Sequence, residues 1–380
     1  MLFIVIIISF LNLIQSNDVK NSKLSYTAIT RRKNIASVYD YKQKVMSTSI
    51  KYYVQRLSDG ENIELALARI SSETCFQFQE TNNLTSATLI YKPGYYYSTN
   101  RKEENSNLHI IYLSYSRPEV SKIIRETLYA LGIDYEHDRP DRNRYITVYS
   151  QNIYSTYLIL FKRKIQSIFI KYNLGYDYKS VMHFSCNEFS KNKKKTIEAK
   201  NKLIEPFMGK SEYLTFTDAK AVNLKYCINS SLKNAKCINY GYPNPKTPYT
   251  CKCLPFYCGP HCEHKVRNFG YCSPINRFKA KYSTAFRTLH LGGTCYFFIE
   301  TVPGLKIKLL LFFHHNLLTY RKCNNKEYIE VRYSKDISVS GVIYCPRVKP
   351  IIIVSEGPLI VIRSSYSSSK YKVKIAYKLA

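Results

Sequence analysis

The cysteines divide this chain before anything else is read. Of its 380 residues twelve are cysteine, and none precedes Cys75. Residues 50 to 227 hold only Cys75, Cys186 and Cys227, whereas residues 227 to 262 are dense in Cys, Gly and Pro. Beyond them Cys272, Cys295, Cys323 and Cys345 punctuate β-type runs. The first part is long enough to bury its own core. The second is too short for one and depends on staples. A zinc-ribbon reading of the second part is weak, because Cys251-Lys252-Cys253 has one intervening residue and zinc pairs normally have two to four.

The opening stretch MLFIVIIISFLNLIQS is apolar, ends in small or polar residues and is followed by Asn17-Asp18. It is short for a bilayer span and reads as a cleaved signal peptide, residues 1–16. That places the chain in an oxidising, extracellular setting, where disulfides are the default. Asn83-Leu84-Thr85 and Asn229-Ser230-Ser231 then become glycosylation acceptors at Asn83 and Asn229. Residues 17–44 read as a short pro-segment or linker, with Arg31-Arg32-Lys33 as a processing site. No second long apolar run follows, so no membrane span is expected. Hydrophobic residues make up 45% of the chain, which argues against wholesale disorder. The formal charge of +30 favours polyanionic partners such as glycosaminoglycan. Secretion argues against nucleic acid. The basic residues are dispersed apart from runs such as Lys191 to Lys195, so a basic solvated surface is the plain alternative.

Apolar residues at Ile63, Leu65, Ala66, Leu67 and Ile70 predict a helix over 62–72. A second helix is predicted over 121–131, with Leu128 and Leu131 facing the core and Gly132 as its stop. Residues 296–299, 306–313, 328–331, 351–354, 359–362 and 371–377 read as short strands separated by turns such as Pro303-Gly304, a β-sandwich pattern. No internal repeat is visible.

One stretch carries the chemistry: Arg125-Glu126-Thr127-Leu128-Tyr129-Ala130-Leu131-Gly132-Ile133-Asp134-Tyr135-Glu136-His137-Asp138-Arg139-Pro140-Asp141-Arg142. It resembles the signature of the astacin family of zinc proteases, H-E-x-x-H-x-x-G-x-x-H-E-x-x-R-x-D-R. Tyr176 to Phe184 resembles the family's Met-turn, with Met182 as its methionine. Thr215-Phe216-Thr217-Asp218 with Tyr226-Cys227 resembles the end of the catalytic domain, and Ile50 to Tyr53 with Glu73-Thr74-Cys75 its start. The resemblance covers about residues 45–228. It implies a mixed sheet and two long helices around a cleft, within an α+β, metzincin-like fold.

Residues four apart share a helix face, so positions 125 and 129 point the same way, and a glycine stop lets position 135 return to them. The resemblance makes those three the zinc ligands, position 126 the general base, and position 184 a further tyrosine ligand. Here the ligand positions hold Arg125, Tyr129, Tyr135 and Phe184. A guanidinium has no lone pair to give, and a phenol ligates only after losing a proton from a pKa near 10. Glu126 is a retained base without an activated water, a remnant. Glu126, Asp134 and the two tyrosines could offer oxygen to a hard cation, against which Arg125 argues. His183 and His137 could be proposed as rescuing ligands, but the resemblance puts His183 outside the metal shell, as a hydrogen-bonded structural histidine. The resemblance also implies that Glu136 pairs with a buried amino terminus, and it assigns the F-x-G-D of a pro-segment to blocking zinc; residues 17–45 hold no such motif.

The remaining pairings are likewise implied by resemblance. Cys75–Cys227 matches the family's long-range bridge, and its second bridge is missing at both ends. Residues 229–263 resemble an EGF-like module, with Cys237–Cys251 and Cys253–Cys262 retained and one bridge lost as a whole. Residues 272–380 resemble a CUB domain, with Cys272–Cys295 and Cys323–Cys345. Ser364-Ser365 stands where an aspartate would serve a calcium site, so none is expected. Cys186 and Cys258 are left over and form a candidate extra pair, Cys186–Cys258; free thiols and pairing between chains are the alternatives.

The reading that follows is a secreted astacin-type metalloendopeptidase homologue that is proteolytically inactive and acts by binding extracellular proteins or peptides. No cofactor is expected. The alternatives are an active zinc enzyme with an altered metal site and a polyanion-binding matrix protein.

Overall fold

A computed structural model describes residues 47–55, 60–100, 108–115, 119–228, 235–313, 327–346 and 349–380. The expected leader, the 17–44 segment with Arg31 to Lys33, Asn229 and Cys323 lie outside these residues.

The N-terminal half is built on a five-stranded sheet in the order β2-β1-β3-β5-β4. Its strands are β1 (Ser49–Val54), β2 (Gln77–Glu80), β3 (Leu89–Gly94), β4 (Ser98–Asn100) and β5 (His109–Ser114). All pairings are parallel except β4 with β5, which leaves β4 as an antiparallel edge. Helix α1 (Gly60–Glu73) buries Ile63, Ala66, Leu67 and Ile70, the i, i+3, i+4, i+7 stripe that its sequence presents, while Leu65 is solvent-exposed. Each of its large aliphatic side chains is worth about 2 kcal/mol when buried.

Helix α2 (Val120–Ala130) buries Ile123, Ile124 and Leu128, and unusually also Arg125, Glu126 and Thr127. Gly132, with φ of +88°, ends it. The Gly132 amide donates to the Tyr129 carbonyl and the Ile133 amide to that of Leu128, a Schellman closure that only an unhindered φ > 0 residue makes cheaply. This turn is what brings Tyr135 back beside the helix. Two short strands, β6 (Ile146–Val148) and β7 (Ile197–Ala199), pair antiparallel. Helix α3 (Phe216–Val222) closes the half, capped by Thr215 and Asp218 in a reciprocal capping box.

The small module holds two minimal hairpins, β8 (Tyr242–Pro243) with β9 (Cys251–Lys252) and β10 (Tyr257–Cys258) with β11 (His264–Lys265). Leu254, Phe256 and Tyr257 pack with Tyr296, Phe298 and Val361, so the module borrows its core from its neighbour.

That neighbour is a β-sandwich of β12 (Tyr271–Cys272), β13 (Arg277–Lys279), β14 (Ala285–Glu300), β15 (Ile307–Phe313), β16 (Tyr328–Arg332), β17 (Val342–Tyr344), β18 (Ile351–Val354), β19 (Leu359–Tyr366) and β20 (Lys372–Leu379). The sixteen-residue β14 belongs to both layers. Its first part pairs with β20 and its second with β19, and the register shifts at Gly292/Gly293. Strands that change sheets do so at such bulges. The fold is thus α+β, a peptidase-like half followed by a stapled module and a sandwich.

Bridges join Cys75 to Cys227, Cys237 to Cys251, Cys253 to Cys262 and Cys272 to Cys295. Cys345 is disulfide-bonded. The candidate pair Cys186–Cys258 is corrected: both are free thiols. Cys186 is half-buried, with its Sγ against the Glu205 carbonyl at 3.6 Å, and Cys258 is exposed on β10. The sandwich meets the peptidase-like half through specific polar contacts. The Gly175 amide donates to Asp336 at 2.8 Å, Asn201 to the Tyr333 hydroxyl at 2.7 Å, and the Ser340 hydroxyl to Asp177 at 3.0 Å. Among the described residues no helix is long and apolar enough to cross a membrane.

Candidate functional site

One side of α2 is where the singled-out residues meet. Arg125 and Glu126 come from the helix itself, Tyr135 from the chain returning after Gly132, and Phe184 from the turn after Met182. Arg125 is 3% exposed. Its Nη2 donates to Glu188 Oε1 at 2.6 Å and its Nε to Glu126 Oε1 at 3.2 Å, and its guanidinium lies 4.6 Å from the Phe184 ring centre. Burial would lower its pKa, but the Glu188 and Glu126 carboxylates outweigh that and the net shift is upward. Burial likewise pushes the Glu188 carboxyl up, and Arg125 more than reverses it. A buried charge survives only with such partners.

Glu126 has no idle oxygen. Oε2 accepts from the Thr99 hydroxyl on β4 at 2.9 Å and from the Tyr135 hydroxyl at 3.1 Å. Burial, then the neighbouring Glu126, holds the Tyr135 phenol well above its ordinary pKa. It therefore stays protonated and acts as a donor. The Tyr129 and Tyr135 rings stack at 4.2 Å with 7° between planes, and Phe184 lies 4.8 Å from Tyr135. On the other side the His137 ring stacks on Phe184 at 3.9 Å. Lys164 pairs with Asp134 and lies 3.5 Å from Asp138, at the edge of the same cluster.

The structure brings Arg125, Glu126, Tyr129, Tyr135 and Phe184 together. It places Met182, Glu136, His137 and His183 around them in structural roles. The Glu136 amide donates to the Met182 carbonyl at 3.1 Å, which fixes the returning chain on the turn. Glu136 Oε1 accepts from Arg139 and from the Asp177 amide, each at 2.8 Å, while Oε2 has no partner among the described residues. Burial pushes its carboxyl up to about 8. Beneath the turn, Asp218 accepts from the Ser180 hydroxyl and the Val181 amide and at the same time caps α3. Asn83 is exposed, its Oδ1 capping the next turn at Thr85.

Glu188 and Thr99 were not singled out by sequence, although they complete the cluster. A buried arginine demands a carboxylate, which signals that a partner exists. Sequence alone offers 27 acidic residues and no way to choose among them.

Both histidines have structural partners. Because a carbonyl only accepts, the His183 Nδ1 donates to the Phe184 carbonyl at 2.7 Å, and its Nε2 faces the Tyr176 hydroxyl at 2.8 Å. His137 Nε2 donates to the Leu160 carbonyl at 3.0 Å. Burial lowers His183 to about 4. The unfolded chain takes up a proton there near pH 6.5 and the folded chain does not until about pH 4. This site's contribution is therefore complete above pH 6.5 and lost as the pH falls through that window. We expect the stability lead of the wild type over His183→Gln, read as the urea midpoint, to shrink between about pH 7 and pH 4.5. A gap that does not change with pH would contradict it.

As arranged, these atoms bond to one another: a cation, its two carboxylates, a phenol donor and an aromatic wall. Among the described residues no group of three or more His, Cys, Asp or Glu side chains is disposed to hold a metal ion.

The family model described as Astacin, a peptidase family, matches residues 36–227. The chain is similar to zinc metalloproteinase nas-34 of Caenorhabditis elegans, 26% identical over 342 residues, spanning 87% of this chain and 55% of that protein. It is similar to zinc metalloproteinase dpy-31 of Brugia malayi, 24% identical over 379 residues, spanning 94% and 62%. The chain thus spans little more than half the length of these relatives. Among solved structures it is similar to high choriolytic enzyme 1, a hatching enzyme zinc-protease from Oryzias latipes (Medaka fish), at 21% identity and a TM-score of 0.41 over 48% of this chain and 90% of that one.

Proposed function

Because the chain belongs to the astacin peptidase family, we propose that it is a secreted member that keeps the scaffold without zinc proteolysis and acts by binding extracellular proteins or peptides. The observation that carries this reading is the cation at position 125. A zinc ion needs three lone-pair donors converging on it. The four ligand positions supply a guanidinium paired to Glu126 and Glu188, a phenol donating its proton to Glu126, a tyrosine ring stacked face to face, and a phenylalanine. These residues do not fit zinc, and a divalent cation would meet the Arg125 charge. Glu126 accepts hydrogen bonds from Thr99 and Tyr135, so its oxygens are engaged.

Binding without chemistry has its own support. Edge strand β4, tied to Glu126 through Thr99, follows exposed Tyr95 and Tyr96, and exposed Tyr115 follows its partner β5. Tyr96 packs edge-on against Tyr157 at 5.8 Å, and Tyr95 against Tyr115 at 5.6 Å. Clustered exposed aromatics beside a strand that is unpaired on one side among the described residues make a surface of the kind protein partners use. Secretion is supported by the four bridges among the described residues and by the apolar leader.

Metal content and peptide cleavage of the purified protein test the proposal. We expect no stoichiometric zinc and no chelator-sensitive cleavage; finding both would establish instead an active enzyme with an altered metal site. The variant Arg125→His/Tyr129→His/Tyr135→His is expected to bind zinc in a one-to-one ratio, because the helix face and the Gly132 turn that align the three positions are in place.

A further inference from the structure

In the peptidase-like half the cations of the site are matched. Arg125 faces Glu126 and Glu188, Arg139 faces Glu136 and Asp141, and Lys164 faces Asp134 and Asp138. On the sandwich Arg332 and Arg363 face Glu330, but at one site the matching stops. A pocket of about 380 Å³ is lined by Arg277, Lys279, Lys281 and Arg287, together with Ser283 and Tyr377, and no acidic residue lines it. All four cations are exposed, and none forms an ion pair among the described residues. Like charges gathered at one pocket repel each other, and an anion entering it relieves that repulsion.

The spacing narrows the ligand. Arg277 and Lys279 lie on β13 and Lys281 follows directly, two residues apart each time. An extended chain advances about 3.3 Å per residue and alternates its faces, so the three recur at steps of about 7 Å along one line. A single phosphate answers one such step, whereas a polymer with anionic groups repeated along its length answers all of them. Exposed Tyr282 and Ile275 border the row and offer flat apolar surface to a sugar ring. In a disulfide-bridged chain the polyanion met is an extracellular one.

We propose that Arg277, Lys279, Lys281 and Arg287 form a binding site for a sulfated polysaccharide, separate from the Arg125 cluster. Retention on immobilised heparin tests it, with unsulfated hyaluronan and anionic phospholipid vesicles as comparison probes, at about 0.15 M salt. The variant Arg277→Ser/Lys279→Ser/Lys281→Ser/Arg287→Ser should weaken heparin binding about tenfold or more and flatten its salt dependence. The charge-matched variant Lys162→Ser/Lys191→Ser/Lys193→Ser/Lys194→Ser should change it by less than about twofold. Equal losses in both variants would show a diffuse basic surface and overturn the site. Equal retention by hyaluronan, or tighter binding to vesicles than to heparin, would overturn the ligand class.

Discussion

Arg125→Met is expected to cost the folded chain about 3–5 kcal/mol near neutral pH, the penalty for breaking a buried ion pair and leaving its partners charged. The substitution removes one cation and leaves two carboxylates, Glu126 and Glu188, whose side chains are 2% and 13% exposed. In the wild type, Arg125 holds Glu188 below its ordinary pKa. Without it, burial is opposed only by the Ser185 amide and by Lys122, so the Glu188 carboxyl moves up from its wild-type position. The folded variant then holds this proton to higher pH than the folded wild type does, so it gains less stability as the pH rises through the carboxylate range. Urea midpoints near pH 4.5 and pH 7 should therefore show a wild-type lead that widens with pH. Removing the whole cluster, as Arg125→Met/Glu126→Leu/Glu188→Leu, should recover most of the loss, because an apolar replacement of an entire ion pair is often neutral. If the triple variant is as unstable as the single one, packing rather than charge explains the cost.

Cys75→Ala/Cys227→Ala is the second large effect. The bridge spans 152 residues and joins the end of α1 to the turn that follows α3. On the loop-entropy account it is worth about 5 kcal/mol, against about 3 kcal/mol for Cys253–Cys262, which spans nine. Losing it also frees the contact between the Asn223 amide and the Glu73 carbonyl at 2.8 Å, which crosses the same seam. Urea unfolding of both double-alanine variants gives the comparison. A loss for the short bridge as large as for the long one would reject the entropy argument.

Local pattern was readable where burial follows it. Helix α1 runs over 60–73 where its stripe predicted 62–72, and α2 ends at Gly132 because that glycine alone takes φ > 0 there. Strands β15, β16, β18, β19 and β20 lie on the apolar runs that announced them. The first half of β14 was hidden. Gly292-Gly293 looks like a turn in sequence, but it is a bulge inside one strand, and Phe286, Arg287, Thr288 and His290 on its outer stretch are exposed. Strands β1 to β5 were legible only through the resemblance, since their tyrosines and lysines blur the alternation.

For the site, the positions on one helix and one turn were readable because their spacing is local. Glu188 lies 63 residues from Arg125, and no periodicity links the two. The Cys186–Cys258 expectation failed for a related reason. Two leftover thiols make a pair by arithmetic, but a bond requires their Cα atoms to come within about 7 Å, and Cys186 is turned toward Glu205.

The shared strand β14 also governs the order in which the molecule can be made. Short β12 and β13 pair with it early, but the strands that run along most of its length, β19 and β20, are supplied by residues 359–366 and 372–379, long after β14 itself. β20 then sits between β14 and β15 at the middle of its layer. On a growing chain the peptidase-like half can settle once Cys227 has emerged. The Ala285–His290 stretch of β14 must wait until Leu379 is synthesised, because β20, the strand it pairs with, is the last of its layer to arrive. A ribosome that stopped before Lys372 would therefore release a finished N-terminal half attached to an unpaired, adhesive β-edge.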